Sequence, residues 1–233
     1  MKKNLIISYD LGTSGNKATL FDFDGNLIAK SFKSYKTFYN SPGFAEQSQK
    51  DWWQSVTFTT ADLLQKVPNS AKNLCAVTFS GQMMGCCPID NEGTPIFNAI
   101  IWSDQRSYKE KELLREKITD DFAYKKTGNI VCANYLATKV MWLKANYPEI
   151  YKKTFKFLQA KDYIAYLLTG KTYTDYSDAS GTNLFDIENK KWCNEIINAS
   201  GISLNKLPEI VPATTIIGKV RKDVAETIKL PAG

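Results

Sequence analysis

The chain contains no histidine among its 233 residues. That absence excludes serine–histidine and cysteine–histidine catalytic pairs, histidine general acids and bases, and the usual transition-metal sites. Any acid or base here must be a carboxylate, lysine, tyrosine or cysteine. Cysteines are few and odd in number: Cys75, Cys86, Cys87, Cys132 and Cys193 show no Cys-x-x-Cys spacing and sit mostly in apolar runs. Buried thiols without disulfides or zinc are therefore expected. No uninterrupted apolar run approaches the roughly 18 residues of a membrane span. Asp10 also interrupts the first apolar segment before a signal-peptide core is complete, so a cytoplasmic location and no membrane partner are expected. Internal repeats, low-complexity tracts and linkers are missing too, which points to one α/β unit with a helical annex over residues 1–233.

What is there suits a folded chain: 43% hydrophobic, 12% aromatic and 23% charged residues, a balance that disordered and fibrous sequences do not have. Lys and Arg number 30 against 24 Asp and Glu, a net charge of +6. The lysines come as scattered pairs, Lys2-Lys3, Lys125-Lys126, Lys152-Lys153 and Lys190-Lys191. Scattered pairs make a solvated face, not a nucleic-acid stripe, while an anionic small ligand stays compatible with the sign.

Alternation predicts strands over Leu5–Asp10, Lys17–Phe23 and Leu27–Ser34, with Asp24-Gly25 as a two-residue hairpin turn. A helix follows with Asp51 as N-cap, apolar Trp52, Val56, Leu63, Leu64 and Val67, and Pro68 as its stop. Leu74–Ser80 reads as a buried parallel strand, completing a βββαβ opening to a mixed sheet. A hairpin-like pair, Cys86–Ile89 and Pro95–Trp102, precedes a charged helix, Asp104–Lys117. The second half predicts helices over Tyr135–Asn146, after Pro148, over Lys161–Leu168 with Gly170 as C′ residue, around Trp192–Ala199 and over Val220–Ile228. A strand, Phe155–Leu158, lies among them.

The strongest chemical signal is Asp10-Leu11-Gly12-Thr13-Ser14-Gly15 between two predicted strands. Such a turn can aim backbone N–H and hydroxyl groups at phosphate oxygens, while a carboxylate at the strand end can hold magnesium or its water. Taken alone, the segment reads equally as an ordinary glycine-rich turn. The GxxxxGK[ST] spacing is absent.

Five blocks recur in order: Asp10–Gly15; Phe44-Ala45-Glu46-Gln47 with Asp51-Trp52-Trp53; Gly81-Gln82-Met83-Met84-Gly85; Ile100-Ile101-Trp102-Ser103-Asp104-Gln105-Arg106; and Ser177-Asp178-Ala179-Ser180-Gly181-Thr182. Together they resemble the N-terminal half of the FGGY carbohydrate kinases, most closely the xylulokinase-like members. The resemblance implies an actin-like, ribonuclease-H-like ATPase lobe and transfer of phosphate from ATP, with Mg2+, to a sugar hydroxyl, with D-xylulose favoured over other ketoses, polyols or gluconate. It implies Asp10 beside the metal and γ-phosphate, with Gly12, Thr13, Ser14 and Lys17 facing phosphate. It also implies Gln82, Met83, Met84, Trp102, Asp104, Arg106 and Asn134 on the sugar side.

Each residue also has a plainer reading. Trp102 can be core, Asp104 the cap of its helix or a brace for the turn, Met83-Met84 apolar filling, Trp52 and Trp53 core and surface cover, and Asp178 a structural support. The family usually carries histidine where this chain has Met84, which trades a hydrogen-bonding imidazole for a thioether. It also usually continues past the equivalent of Gly233 into a lobe bearing the catalytic base and the adenosine site. That lobe would be the chain's partner, this chain alone would be inactive, and a homodimer is compatible. A non-catalytic sugar-binding module is the competing reading.

Overall fold

The computed structural model describes residues 4–233, so Lys2-Lys3 lies outside the described residues. Strands β1 (Leu5–Leu11), β2 (Gly15–Asp22) and β3 (Leu27–Ser34) form the antiparallel start, and β5 (Leu74–Gly81) adds to β1 in parallel, giving the order β3-β2-β1-β5. Alternation in β1 sends Ile7, Tyr9 and Leu11 fully inward. Helix α1 (Gln49–Lys66) covers that face with Trp52, Val56 and Leu63. The polar groups of this layer are satisfied locally: Thr59 and Thr60 bond back to Ser55 and Val56 carbonyls. The Thr59 hydroxyl also accepts from Asn16 Nδ2 at 2.8 Å, and Tyr9 and Thr60 share a hydroxyl–hydroxyl bond.

A two-residue strand, β4 (Glu46–Gln47), precedes α1, and a short helix, α2 (Ser70–Asn73), leads into β5. Next come β6 (Cys87–Ile89), β7 (Ala99–Ile100), α3 (Tyr108–Arg115), α4 (Asp120–Thr127), α5 (Leu136–Asn146), α6 (Pro148–Lys153) and β8 (Lys156–Leu158). The chain continues through α7 (Ala160–Thr169), β9 (Tyr173–Asp175), α8 (Tyr176–Ser180), β10 (Phe185–Asp186), β11 (Lys191–Trp192), α9 (Asn194–Ser200), β12 (Glu209–Val211) and α10 (Lys222–Ile228). Two apolar cores result, and neighbouring residues along β6, β7 and β8 divide them. Cys87, Ile101 and Leu158 face the sheet core, while Cys86, Ile100 and Phe157 face a helical core with Leu136, Val140, Leu143 and Ile196. Among the described residues no helix is long and apolar enough to cross a membrane.

Several expectations are corrected. The β2–β3 hairpin is not closed by two residues: Phe21 pairs with Leu27, and the Asp22 carboxylate accepts from the amides of Asp24 and Asn26 across a longer turn with Gly25 at φ 82°. Ser48, not Asp51, is the N-cap of α1. The charged helix begins after Ser107 rather than at Asp104, whose carboxylate is drawn to more distant partners. The Ser177–Ser180 segment is helical, with Asp175 capping it through the amides of Ser177 and Asp178. Strand β5 is parallel but half open: Cys75, Ala76, Thr78 and Ser80 are exposed, because β5 is the sheet edge and borders a cavity of about 550 Å³ against α7 and residues 211–220. Cys75 is therefore an exposed thiol, while Cys86, Cys87 and Cys193 are buried and all five are unpaired.

Beside that cavity α7 carries Lys161, whose ammonium lies 2.6 Å from Asp175, 3.2 Å from Asp178 and 3.6 Å from Asp162. One buried cation cannot neutralise three carboxylates, so burial, reinforced by the Asp162 charge, pushes the Asp178 carboxyl up to about 8. Between its unfolded value of about 3.9 and that folded value the native state binds more protons than the unfolded chain. Its stabilising contribution is present at low pH and is lost as pH rises through the folded pKa. Thermal melts should show Tm falling from about pH 4 to 8, and Asp178→Asn should flatten that fall. At the alkaline end the variant should melt about 2–4 °C higher, the shift that roughly 1 kcal/mol gives a chain of this size.

Candidate active site

Parallel pairing fixes the position of the site. Leu11 at the end of β1 is level with Gly81 at the end of β5, so the loops leaving these adjacent strands emerge side by side. The first is the Gly12–Ser14 hairpin. Its carbonyls are turned into the protein: Gly12 O accepts from the Tyr35 hydroxyl, Thr13 O from Gln47 Nε2 at 2.7 Å and Ser14 O from the Tyr35 amide at 3.3 Å. With its acceptors held inward, the hairpin's other face is left to donors, as phosphate requires. Gly15 closes the turn against β3, where a Cβ would fall 2.6 Å from Lys33 O and 2.5 Å from the Phe32 ring. Asp10 stands at the strand end with its side chain 46% exposed, 3.4 Å from Lys17 on the paired strand.

The second loop begins at Gly81, where an added Cβ would press on Leu11 O at 3.2 Å. Gln82 is bound to both sides of the cleft: its amide N–H donates to Leu11 O at 2.8 Å and its Nε2 to Gln47 Oε1 at 2.7 Å. Its own Oε1 is buried without a partner. Met83 packs against Gly181, where a Cβ would meet its methyl at 3.2 Å. Met84 adopts φ 65°, a left-handed backbone that a β-substituted residue occupies only under constraint.

Trp102 lies across the opening, 44% exposed, so it is not core. Its indole N–H donates to Thr13 Oγ1 at 2.8 Å, while its carbonyl accepts from Asn134 Nδ2 at 2.8 Å. Asp104 and Arg106, expected either on sugar hydroxyls or on the turn itself, are both committed to the turn. The guanidinium forks onto Asp104 through Nε and an Nη at 2.7 Å, reaches Glu46 at 2.8 Å, and is held between Phe44 and Trp142. Asp104 is fully buried and also accepts the Ala45 amide.

Hydrogen bonds thus link Thr13, Gln82, Trp102 and Asn134 through Gln47 and the Trp102 loop, at the ends of the adjacent strands β1 and β5, with Lys17 beside Asp10 and the Asp104–Arg106 pair bracing the turn after Trp102. Sequence reasoning missed two residues of this site. Gln47 is fully buried, and its amide joins Thr13 O, Thr37 Oγ1, Trp52 Nε1 and Gln82 Nε2. Lys139, also fully buried, donates to Met84 O at 2.8 Å, Ile101 O at 2.8 Å and Asn134 O at 2.5 Å, and burial pushes its pKa down to about 7. The available signal was the place of Gln47 in the Phe44–Gln47 block, while Lys139 was only one residue of the helix expected over Tyr135–Asn146. Gln47→Leu would strand the Trp52 indole N–H and the Thr13 carbonyl, so urea unfolding should show a loss of about 2–4 kcal/mol, the penalty of two buried groups left unpaired. A loss below about 1 kcal/mol would mean that water replaces the amide.

Comparison with known proteins places this geometry. Residues 5–233 match the model of the N-terminal domain of the FGGY family of carbohydrate kinases. A xylulose kinase from Lactococcus lactis is 33% identical over 225 residues, covering 97% of this chain and 45% of the relative. The crystal structure of a xyloylose kinase from Brucella ovis superposes with a TM-score of 0.91 at 30% identity, covering 98% of this chain and 46% of that one. A gluconate kinase structure from Lactobacillus acidophilus gives 0.90 at 26% identity, with the same coverage. The chain spans about half the length of the curated relatives it matches. The actin-like α/β lobe that the sequence blocks implied is the one observed, and the chain belongs to the FGGY family of carbohydrate kinases as an N-terminal domain.

Proposed function

We propose that the whole protein transfers the γ-phosphoryl group of ATP to a sugar hydroxyl, with D-xylulose becoming xylulose 5-phosphate. This chain supplies the sugar-facing rim and one phosphate hairpin. The observation that carries the reading is the 2.8 Å bond from Trp102 Nε1 to Thr13 Oγ1, because it sets an aromatic sugar platform and a phosphate-type hairpin on the same opening. Phosphoryl transfer asks a protein for positioning and charge neutralisation rather than a covalent partner, and hydroxyls, amides and one carboxylate at this opening are of those types.

Asp10 would hold Mg2+. Among the described residues no group of three His, Cys, Asp or Glu side chains forms a metal cage, and magnesium on a nucleotide commonly takes one or two carboxylates plus phosphate oxygens. The half-exposed Asp10 fits that donor set, since an exposed ion pair with Lys17 is weak enough to be exchanged. The bound metal would neutralise charge on the transferring phosphate. Thr13, Ser14 and Lys17 would orient the phosphate groups.

A neutral sugar suits the rim better than a sugar acid. Arg106 is neutralised by Asp104 and Glu46, Lys139 is buried against three carbonyls, and Lys17 stands on the hairpin side beside Asp10. None of these three cations is free to face a carboxylate on the rim. The Trp102 face and the Met83–Met84 turn offer instead apolar surface for the carbon faces of a sugar. The general base and adenosine site are assigned to the length that relatives carry beyond the matched part, so this chain alone would bind sugar and turn over no ATP.

Titration of the chain with D-xylulose, glycerol and gluconate, followed by NMR, tests the reading. D-Xylulose is expected to bind most tightly and to shift the Trp102 indole and Gln82 side-chain amide signals. Trp102→Ala should weaken it about tenfold, or roughly 1.4 kcal/mol. Tighter gluconate binding would overturn the substrate, no sugar binding would overturn the rim assignment, and ADP formation by the chain alone would overturn the assignment of the base.

A further inference from the structure

We infer that Lys139 is the positioning residue of the sugar rim, holding three separate loops in register through one buried ammonium. The inference deepens the sugar-kinase reading and rests on it for its functional meaning. Lys139 lies early in α5 with no exposed surface, and its three donors meet three acceptors: the carbonyls of Met84, Ile101 and Asn134. An ammonium has three N–H groups and no acceptor, so this set exhausts it.

Each of the three carbonyls belongs to a loop that carries a rim residue. Met84 is itself on the rim, Ile101 immediately precedes Trp102, and Asn134 clasps the Trp102 carbonyl through its own amide. A single backbone bridge, Cys86 to Ile100, joins the Met84 and Ile101 loops and none among the described residues reaches the Asn134 loop, whereas the backbone oxygens of all three converge on this one cation. Met84 is also the residue in the left-handed backbone at φ 65°. Such a conformation survives where surrounding bonds over-determine it, and the Lys139 bond to its carbonyl is one of them.

A purely structural role explains the position poorly. Lys139 sits at the margin of a helical core with Leu136, Val140 and Leu143 as its helix neighbours, where leucine or methionine would pack without desolvating a charge. Cys86, Asp104, Arg106 and Cys132 are the ionisable groups around it. The Asp104 carboxylate is already engaged by Arg106 and the Ala45 amide, so Lys139 is not there to complete an ion pair.

Amide hydrogen exchange on the 233-residue chain tests this without any ligand. In Lys139→Met the amides of residues 82–86, 101–104 and 132–135 should exchange at least tenfold faster, while those of β1, β2 and α1 keep their rates. In a Met84→Gly background, where glycine takes a positive φ freely, the effect of Lys139→Met on residues 84–86 should shrink at least threefold. A uniform acceleration across the chain, or none at the three loops, overturns the inference. If Lys139→Met does not fold, the wild-type 15Nζ resonance decides: ammonium hydrogens protected enough to be observed at about pH 5, where the group is protonated, support it, and rapid exchange with water there overturns it. In a second arm D-xylulose should bind the folded Lys139→Met chain at least tenfold more weakly than wild type. Equal affinity overturns the positioning role. Failure of the wild type itself to bind would defeat the sugar reading, while the exchange rates would still decide whether Lys139 holds the loops.

Discussion

A side-chain amide has two donors and two acceptor lone pairs, and in Gln47 all are used inside the protein. Nε2 holds the Thr13 carbonyl and the Thr37 hydroxyl, while Oε1 accepts from the Trp52 indole and the Gln82 amide. Through this residue the phosphate-type hairpin, the first helix and the sugar-facing turn share one buried point. Such a network is stable only when every member is paired, and the low dielectric of its surroundings makes each bond strong and each missing bond expensive. Hence the site depends on a strand of only two residues. Glu46 and Gln47 pair with Ile100 and Ala99, and strand alternation sends their side chains opposite ways. Gln47 reaches the hairpin, while Glu46 reaches Arg106 and the Asn98 amide.

The placement of charge follows the same logic. The chain's net +6 is not gathered at the opening. Arg106 is fully used against two carboxylates and two aromatic faces, and removing both carboxylates would leave a desolvated charge without a partner. Asp10, in contrast, is kept half exposed with only a solvent-screened lysine nearby. One carboxylate is free to meet an incoming cation, and the others are locked into architecture.

Local chemistry made the first three strands, the α1 stop and the Gly170 terminus legible, because alternation, proline and glycine act on neighbouring residues. Gly12–Gly15 was legible for the same reason. The caps were misread where a carboxylate found a better partner far away: Asp104 is recruited by Ala45, 59 residues distant, and not by the helix just beyond it. The roles of Gln47 and Lys139 were not legible locally, since their bonds span separations such as 35 and 55 residues and exist only once the sheet has aligned its loops. The exposure of β5 was equally invisible, because an apolar run reads the same whether or not something covers it. In Met84 the flanking Gly81 and Gly85 announced an unusual turn, yet the left-handed backbone falls on methionine itself.

Trp102 shows how the fold couples the two sides of the opening. A hydroxyl has one proton and two lone pairs. By accepting from the Trp102 indole, Thr13 Oγ1 keeps its single proton to donate elsewhere. The Thr13 backbone carbonyl is meanwhile held by Gln47, so neither end of this residue can turn inward to spend that proton on the protein. The Trp102 indole thereby orients the Thr13 hydroxyl, and in the proposed reaction the sugar platform would so orient a donor for the phosphate. In the proposed reaction, anything that tilts the indole on binding a sugar also moves the hydroxyl that meets the phosphate. That mechanical link lets a rim made of loops from three distant parts of the chain act on a hairpin at the end of the first strand.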